Sequence, residues 1–233
     1  MEWDELQRAM VVFAHPDDAE FGSAGTIAKL ARDGKEVVYV VVTDGSKGSS
    51  DVNIISEQLI LTRQQEQREA GRVLGVNQVE FLGFPDGMLE PSMEVRKAIT
   101  ASIRKHKPDL VISQSPLRDL SLGVFVQHPD HLAAAEATFA AVYPCARDRM
   151  TFPELLAQGL EPHAVHELWV VGTAQPDHFI DITDTLETKV EALLAHESQV
   201  GERVKEMIPQ RAKSLGEPHA MEYAEGFRRI QIP

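Results

Sequence analysis

The chain has 233 residues, 43% of them hydrophobic and 25% charged, enough apolar material for one sizeable core. Its 23 Lys and Arg against 36 Asp and Glu leave a net charge of −13, which repels phosphate backbones and anionic lipid and argues against nucleic acid or a membrane as partner. A single cysteine, Cys145, excludes an intrachain disulfide; with an acidic N-terminus lacking a signal-peptide pattern and no apolar run of ~20 residues, the expected compartment is the cytoplasm.

Short apolar runs alternate with longer amphipathic ones. Residues 10–14 predict a first strand, followed by a helix over about 22–33 that Gly34 ends. EVVYVVVTDG predicts a second strand over 37–43, continuous in β-branched residues as in a strand covered on both faces. After the Gly- and Ser-rich DGSKGSSD comes a long helix, about 56–74. A third strand over 79–82, a helix over 92–105, a fourth strand over 110–113 and a helix over about 130–143 continue the alternation. This order predicts an α/β fold, a three-layer Rossmann-like, mostly parallel sheet with helices on both faces. HELWVVGTA and HFIDIT read as two more strands, one of them antiparallel, and 184–215 as a helical C-terminus capped by Thr183 or Asp184. No repeat, low-complexity stretch or long linker divides the chain, so 1–233 is expected to be one domain.

The polar chemistry gathers where strands end. VVFAHPDDAEFG places His15, Asp17 and Asp18 just past the first strand, and ligands of open parallel sheets bind beyond the carboxyl ends of strands where the strand order reverses. Histidine with carboxylate suits zinc, and a turn stiffened by Pro16 lets His15 and Asp18 share one centre while Asp17 faces away. The same residues also compose a plain turn in which an aspartate caps the next helix. QHPDH, Gln127 to His131, repeats the theme just past the fourth strand, which neighbours the first in the common doubly wound order. His128 and His131, three residues apart, can share a face of the first helical turn. Two such helix starts flanking one crevice favour the metal reading over the capping one.

AHPDDAEFGSAGTIAKLARDGKEVVYVVVTDG together with QHPDHLAAAEA resembles the zinc-dependent LmbE/PIG-L deacetylases, which remove the acetyl group from N-acetylglucosaminyl compounds. RQQEQREAGRVLG, FLGFPDG, DITDTLETKVEALLAHESQ and YAEGFR fit the same family, so the resemblance spans nearly the whole chain. It departs between Leu117 and Gln127, where LRDLSLGVFV replaces a commoner polar, Gly-rich approach to the second motif. The resemblance implies one zinc ion per chain on His15, Asp18 and His131, with water in the fourth position. It implies Asp17 as general base, His128 as the residue that stabilises the oxyanion or protonates the leaving amine, and Asp130 as the carboxylate orienting His128. Arg63 and Asp86 match positions that contact the sugar. It leaves a homo-oligomer open.

The expected partner is therefore a small N-acetylated sugar. A zinc amidase acting on another amide, such as a thiol-sugar conjugate, and a non-catalytic metal- or sugar-binding module are the alternatives. Intact Asp17 and His128 weigh against the module, since binding alone needs neither. Glu66, one turn after Arg63, is expected as its ion-pair partner. His196 fits either a site-facing residue or a helix-end histidine favoured by the dipole. Pro176–His178 reads as a turn, His163 and His166 as loop packing, Trp169 as core and Cys145 as an inert thiol. Phe84, Met88 and Phe125 are placed to stack against a pyranose.

Overall fold

In the computed structural model, which describes residues 2–76 and 78–232 (the side chains of Phe125 and Val126 aside), alternate residues of the first strand feed two different cores. In β1 (Arg8–Phe13), Ala9, Val11 and Phe13 pack on one face and Met10 and Val12 on the other, as a strand covered on both sides requires. β2 (Glu36–Thr43), β3 (Gln78–Phe84), β4 (Leu110–Gln114) and β5 (Glu167–Val171) run parallel to it, in the order β3-β2-β1-β4-β5. The order reverses between β1 and β4, which pair directly, Ala9 opposite Leu110 through Val12 opposite Ser113. The two His-Pro-Asp loops therefore leave adjacent strands at the switch point.

One layer holds α1 (Asp18–Arg32) and α2 (Ser56–Leu74), joined later by α6 (Leu186–Leu194) and α7 (Val204–Gly216). The other holds α3 (Met93–His106) and α4 (Pro129–Ala140). α3 is capped by Ser92, whose hydroxyl accepts from the Val95 amide. A short α5 (Pro153–Ala157) lies in the connection to β5. Buried Arg104 of α3 donates to the carbonyls of Cys145, Ala146, Asp148 and Thr151, fixing that connection.

The three-layer, mostly parallel fold is as expected, with differences late in the chain. β5 and β6 (His178–Asp181) run in the same direction; the antiparallel strand is β7 (Ala224–Gln231), which inserts between them. Its sequence, AEGFRRIQ, carries four polar side chains that hide the strand pattern. The expected helix over 184–215 is two helices broken at 195–203, and the first has Thr185 at its N-cap position without a side-chain cap bond. α4 ends at Ala140, and a π-helical turn (Ala141–Cys145) follows with Pro144 inside it.

Candidate metal centre

The first loop is bent by one residue. Asp17 takes φ 93° and ψ −28°, a left-handed conformation costing a non-glycine residue ~1–3 kcal/mol. The bend starts α1 at Asp18, four residues earlier than periodicity suggests, and brings Asp18 round to face His15, whose amide donates to Asp18 Oδ2 at 2.9 Å. Asp17 stands at the N-cap position, but its side chain makes no cap bond. It faces Arg63, whose Nη2 lies 3.3 Å from Asp17 Oδ2.

From β4, His128 is the N-cap of α4: its ring Nδ1 accepts from the Asp130 amide at 3.2 Å. Pro129, at the first helical position, gives up no intrahelical bond there. His131 follows on the first turn, and the ring centroids of His15, His128 and His131 lie 4.9–5.3 Å apart.

Three lone-pair donors converge. His15 Nδ1 is 3.3 Å from Asp18 Oδ2 and 3.2 Å from His131 Nε2, and His131 Nε2 is 3.1 Å from Asp18 Oδ1. Tetrahedral ligands at zinc distances of 2.0–2.1 Å stand about 3.3 Å from one another, so this spacing fits such an ion. The tautomer fits too. His15 Nε2 sits 3.1 Å from both Asp86 Oδ1 and Asp130 Oδ2, which would keep the proton on that nitrogen when a cation displaces the one on Nδ1, the nitrogen that faces Asp18 and His131. A histidine with one nitrogen on a cation and the other on a carboxylate is the usual metal-site pairing.

The electrostatics follow from this crowding. Burial opposes charge on His15, but hydrogen bonds to Asp130, Asp18 and Asp86 outweigh it and push its pKa up to about 12. Burial also opposes charge on Asp18, yet His131 and His15 hold its carboxyl far below the usual range. Asp17 goes the other way: burial first, then the Asp18 charge, push it up to about 7 although Arg63 pulls it down. Burial, then the neighbouring His15, lower the His128 pKa. With Nδ1 accepting a hydrogen bond, neutral His128 carries its proton on Nε2 and presents it as a donor.

The side chains of Asp130 and Asp86 both turn to His15. The fully buried Asp130 carboxylate turns back to His15 and accepts from the Gly87 and Leu89 amides at 2.6 and 3.2 Å; only its backbone N–H touches His128. Asp86 has one oxygen on His15 and the other on the Lys47 amide, 2.9 Å away; against burial, which raises it, these bonds bring its carboxyl down to about 2. Arg63 is buried and ties three loops together, donating to Gly45 O (3.0 Å) and Pro16 O (2.8 Å) and lying 3.9 Å from Asp86. A Cβ on Gly48 would stand 2.5 Å from Arg63 Nη1, so glycine there lets the guanidinium seat. The Asp86 oxygens and the Arg63 Nη1 and Nη2 atoms are thus engaged by protein, while buried Arg63 Nε has no hydrogen-bond partner among the described residues.

Glu66 does not pair with Arg63; it accepts from the Ser198 amide and hydroxyl, both at 2.7 Å, and so ties α2 to the HESQ segment. His163 bonds the Pro108 carbonyl, and Trp169 and Cys145 are buried as expected. His178 packs edge-on to Trp169, away from the centre. Met88 is exposed, Phe84 is half-buried at the end of β3, and the Phe125 side chain lies outside the described residues. The sequence reading missed Gln67 and Glu20, both completely buried. A signal existed: the buried stripe of α2 runs Leu59, Arg63, Gln67, Ala70, Leu74, and two polar residues on an otherwise apolar helix face demand partners.

Residues 10–142 match the family described as PIG-L, GlcNAc-PI de-N-acetylase. Diacetylchitobiose deacetylase of Thermococcus kodakarensis is 34% identical over 98% of this chain and 85% of its own length. A probable N-acetyl-alpha-D-glucosaminyl L-malate deacetylase 2 of Bacillus anthracis is 29% identical over 86% of this chain and 85% of its own. Among solved structures, N,N'-diacetylchitobiose deacetylase of Pyrococcus horikoshii, complexed with its inhibitor MPG, superposes with a TM-score of 0.90 at 31% identity, covering 98% of this chain and 85% of that one.

Proposed function

The chain belongs to the PIG-L family of GlcNAc-PI de-N-acetylases, and from that premise we propose how this N-deacetylase works and on what. It is a metal-dependent hydrolase that removes the acetyl group from an N-acetylglucosamine-type sugar. The metal is zinc, one per chain, held by His15, Asp18 and His131. The observation that carries this is the convergence of His15 Nδ1, His131 Nε2 and the two Asp18 oxygens at 3.1–3.3 Å, with the far nitrogen of His15 on two carboxylates.

Zinc bound there would supply a Lewis acid and a water acidified to a pKa of about 7. Asp17 is the general base: its carboxyl, pushed up to about 7, takes a proton at neutral pH and gives it back to the departing amine. His128 offers Nε2–H to the oxygen that gains charge as the amide carbon becomes tetrahedral. Asp130 and Asp86 hold His15 in its ligating tautomer, and Arg63 keeps Asp17 turned and the three loops joined.

The family match and the ordinary apolar content support 1–233 as a single domain. A net charge of −13 supports a small neutral sugar as partner and neither nucleic acid nor a membrane, and a single cysteine supports a cytoplasmic protein. Among the described residues no helix is long and apolar enough to cross a membrane. The deciding assay measures acetate and free amine released by zinc-loaded protein from N-acetylglucosamine, N,N'-diacetylchitobiose and a thiol-sugar amide. Equimolar acetate and amine from the N-acetyl sugars is the expected result. Release from the thiol conjugate alone would make it the amidase, and no release at one zinc per chain would make it a binding module.

A further inference from the structure

The proposed base stands on a backbone its residue type disfavours, and one buried row of side chains ends on it. The Asp17 carbonyl accepts from the Glu20 and Phe21 amides as α1 begins, and its N–H donates to Gln67 Oε1 at 3.0 Å. Gln67 cannot turn over, because its Nε2 donates to Glu20 Oε1 at 2.9 Å. Glu20 Oε2 in turn lies 3.2 Å from His196 Nε2. All three side chains have 0% exposure, and His196 Nδ1 finds no hydrogen-bond partner among the described residues.

A carboxylate, a carboxamide and an imidazole buried together hold a core less well than apolar groups of equal volume would. What they hold is one amide. Were the Gln67 oxygen absent, the half-buried Asp17 N–H would lose its acceptor, and the strained turn would relax toward negative φ. The Asp17 carboxylate would swing away from the centre with it. We propose that Gln67, oriented by Glu20 and His196, is a positioning residue that aims Asp17 in deacetylation. This rests on Asp17 being the base.

The test measures kcat, KM and zinc content on an N-acetylglucosamine substrate for Gln67→Leu, Asp17→Asn and the double variant. Gln67→Leu should lower kcat about 10–100-fold, the scale of misplacing a reacting group by an ångström, with KM and one zinc per chain retained. In the Asp17→Asn background the same change should cost less than about 3-fold, since the group it aims is already gone. Equal losses in both backgrounds, or none in either, would overturn the inference and leave the base in place. Unchanged turnover in Asp17→Asn alone would instead remove the base, and the inference with it. Should Gln67→Leu fail to fold, Gln67→Glu keeps an oxygen toward the Asp17 amide but sets a carboxylate against Glu20. It should lose about 3–10-fold in the Asp17 background only, and the same background comparison decides.

Discussion

His15-Pro16-Asp17 precedes α1 and His128-Pro129-Asp130 opens α4, the helices that follow neighbouring strands, yet their atoms point in opposite senses. In the first, the histidine reaches the centre and the aspartate turns outward to Arg63 on a left-handed backbone. In the second, the histidine caps its helix through Nδ1 and the aspartate reaches back to His15. The difference lies in φ. At 93° Asp17 breaks the direction of the chain, whereas His128 at −52° leads smoothly into α4 and delivers His131 one turn on. On the proposed reading, a shared tripeptide supplies ligand and base from one loop, and donor and bracing carboxylate from the other.

Removing ligands breaks both loops at once and should have the largest effect. His15→Ala, Asp18→Ala and His131→Ala should each lose zinc and hydrolysis together, because two protein ligands hold the ion poorly. Full zinc in purified Asp18→Ala, by metal analysis, would refute that assignment. Asp17→Asn tests the first loop alone: zinc should stay near one per chain while kcat falls roughly 10²-fold.

Asp130→Asn tests the second. If Asp130 braces His15, zinc affinity measured by chelator competition should fall about 10–100-fold. A drop in kcat with zinc affinity intact would return Asp130 to the role of orienting His128. The smallest effect is expected from Asp86→Ala, which removes one of two carboxylates behind His15. It should lower kcat/KM by a similar factor, about 10-fold, on an N-acetyl sugar and on a small acetamide lacking hydroxyls. A loss confined to the sugar would make Asp86 a substrate contact.

Wherever local pattern and tertiary environment agreed, the sequence could be read. β2 is continuous in β-branched residues because both its faces are buried, and α2 starts and stops where its apolar stripe does. Of the three proposed ligands, His15 and Asp18 follow directly on the end of β1, whereas His131 stands on the first turn of α4, beyond the connection 115–127 from β4, and was legible from the repeated His-Pro-Asp pattern and not from its distance to a strand end. β7 was hidden because Glu225, Arg228, Arg229 and Gln231 break its apolar pattern, although Glu225 is buried, accepting from the Gly25 and Thr26 amides and pairing with Lys189 at 2.6 Å. The contacts of Asp130 and Glu66 escaped the sequence for one reason. Their partners, His15 and Ser198, lie 115 and 132 residues away, and spacing along a helix carries no signal at that range.

The place of β7 bears on how the protein is made. Among the described residues β6 has no sheet neighbour other than β7, and β7 is synthesised after every other described strand. While residues 224–231 are still being threaded through the exit tunnel, β6 is an orphan edge and the helix carrying Glu20 lacks the Glu225 carboxylate that clasps its middle. The loops of the centre, all encoded before residue 132, are thus synthesised long before the scaffold behind them closes. The loops of the proposed centre are made early and the scaffold behind them is closed later.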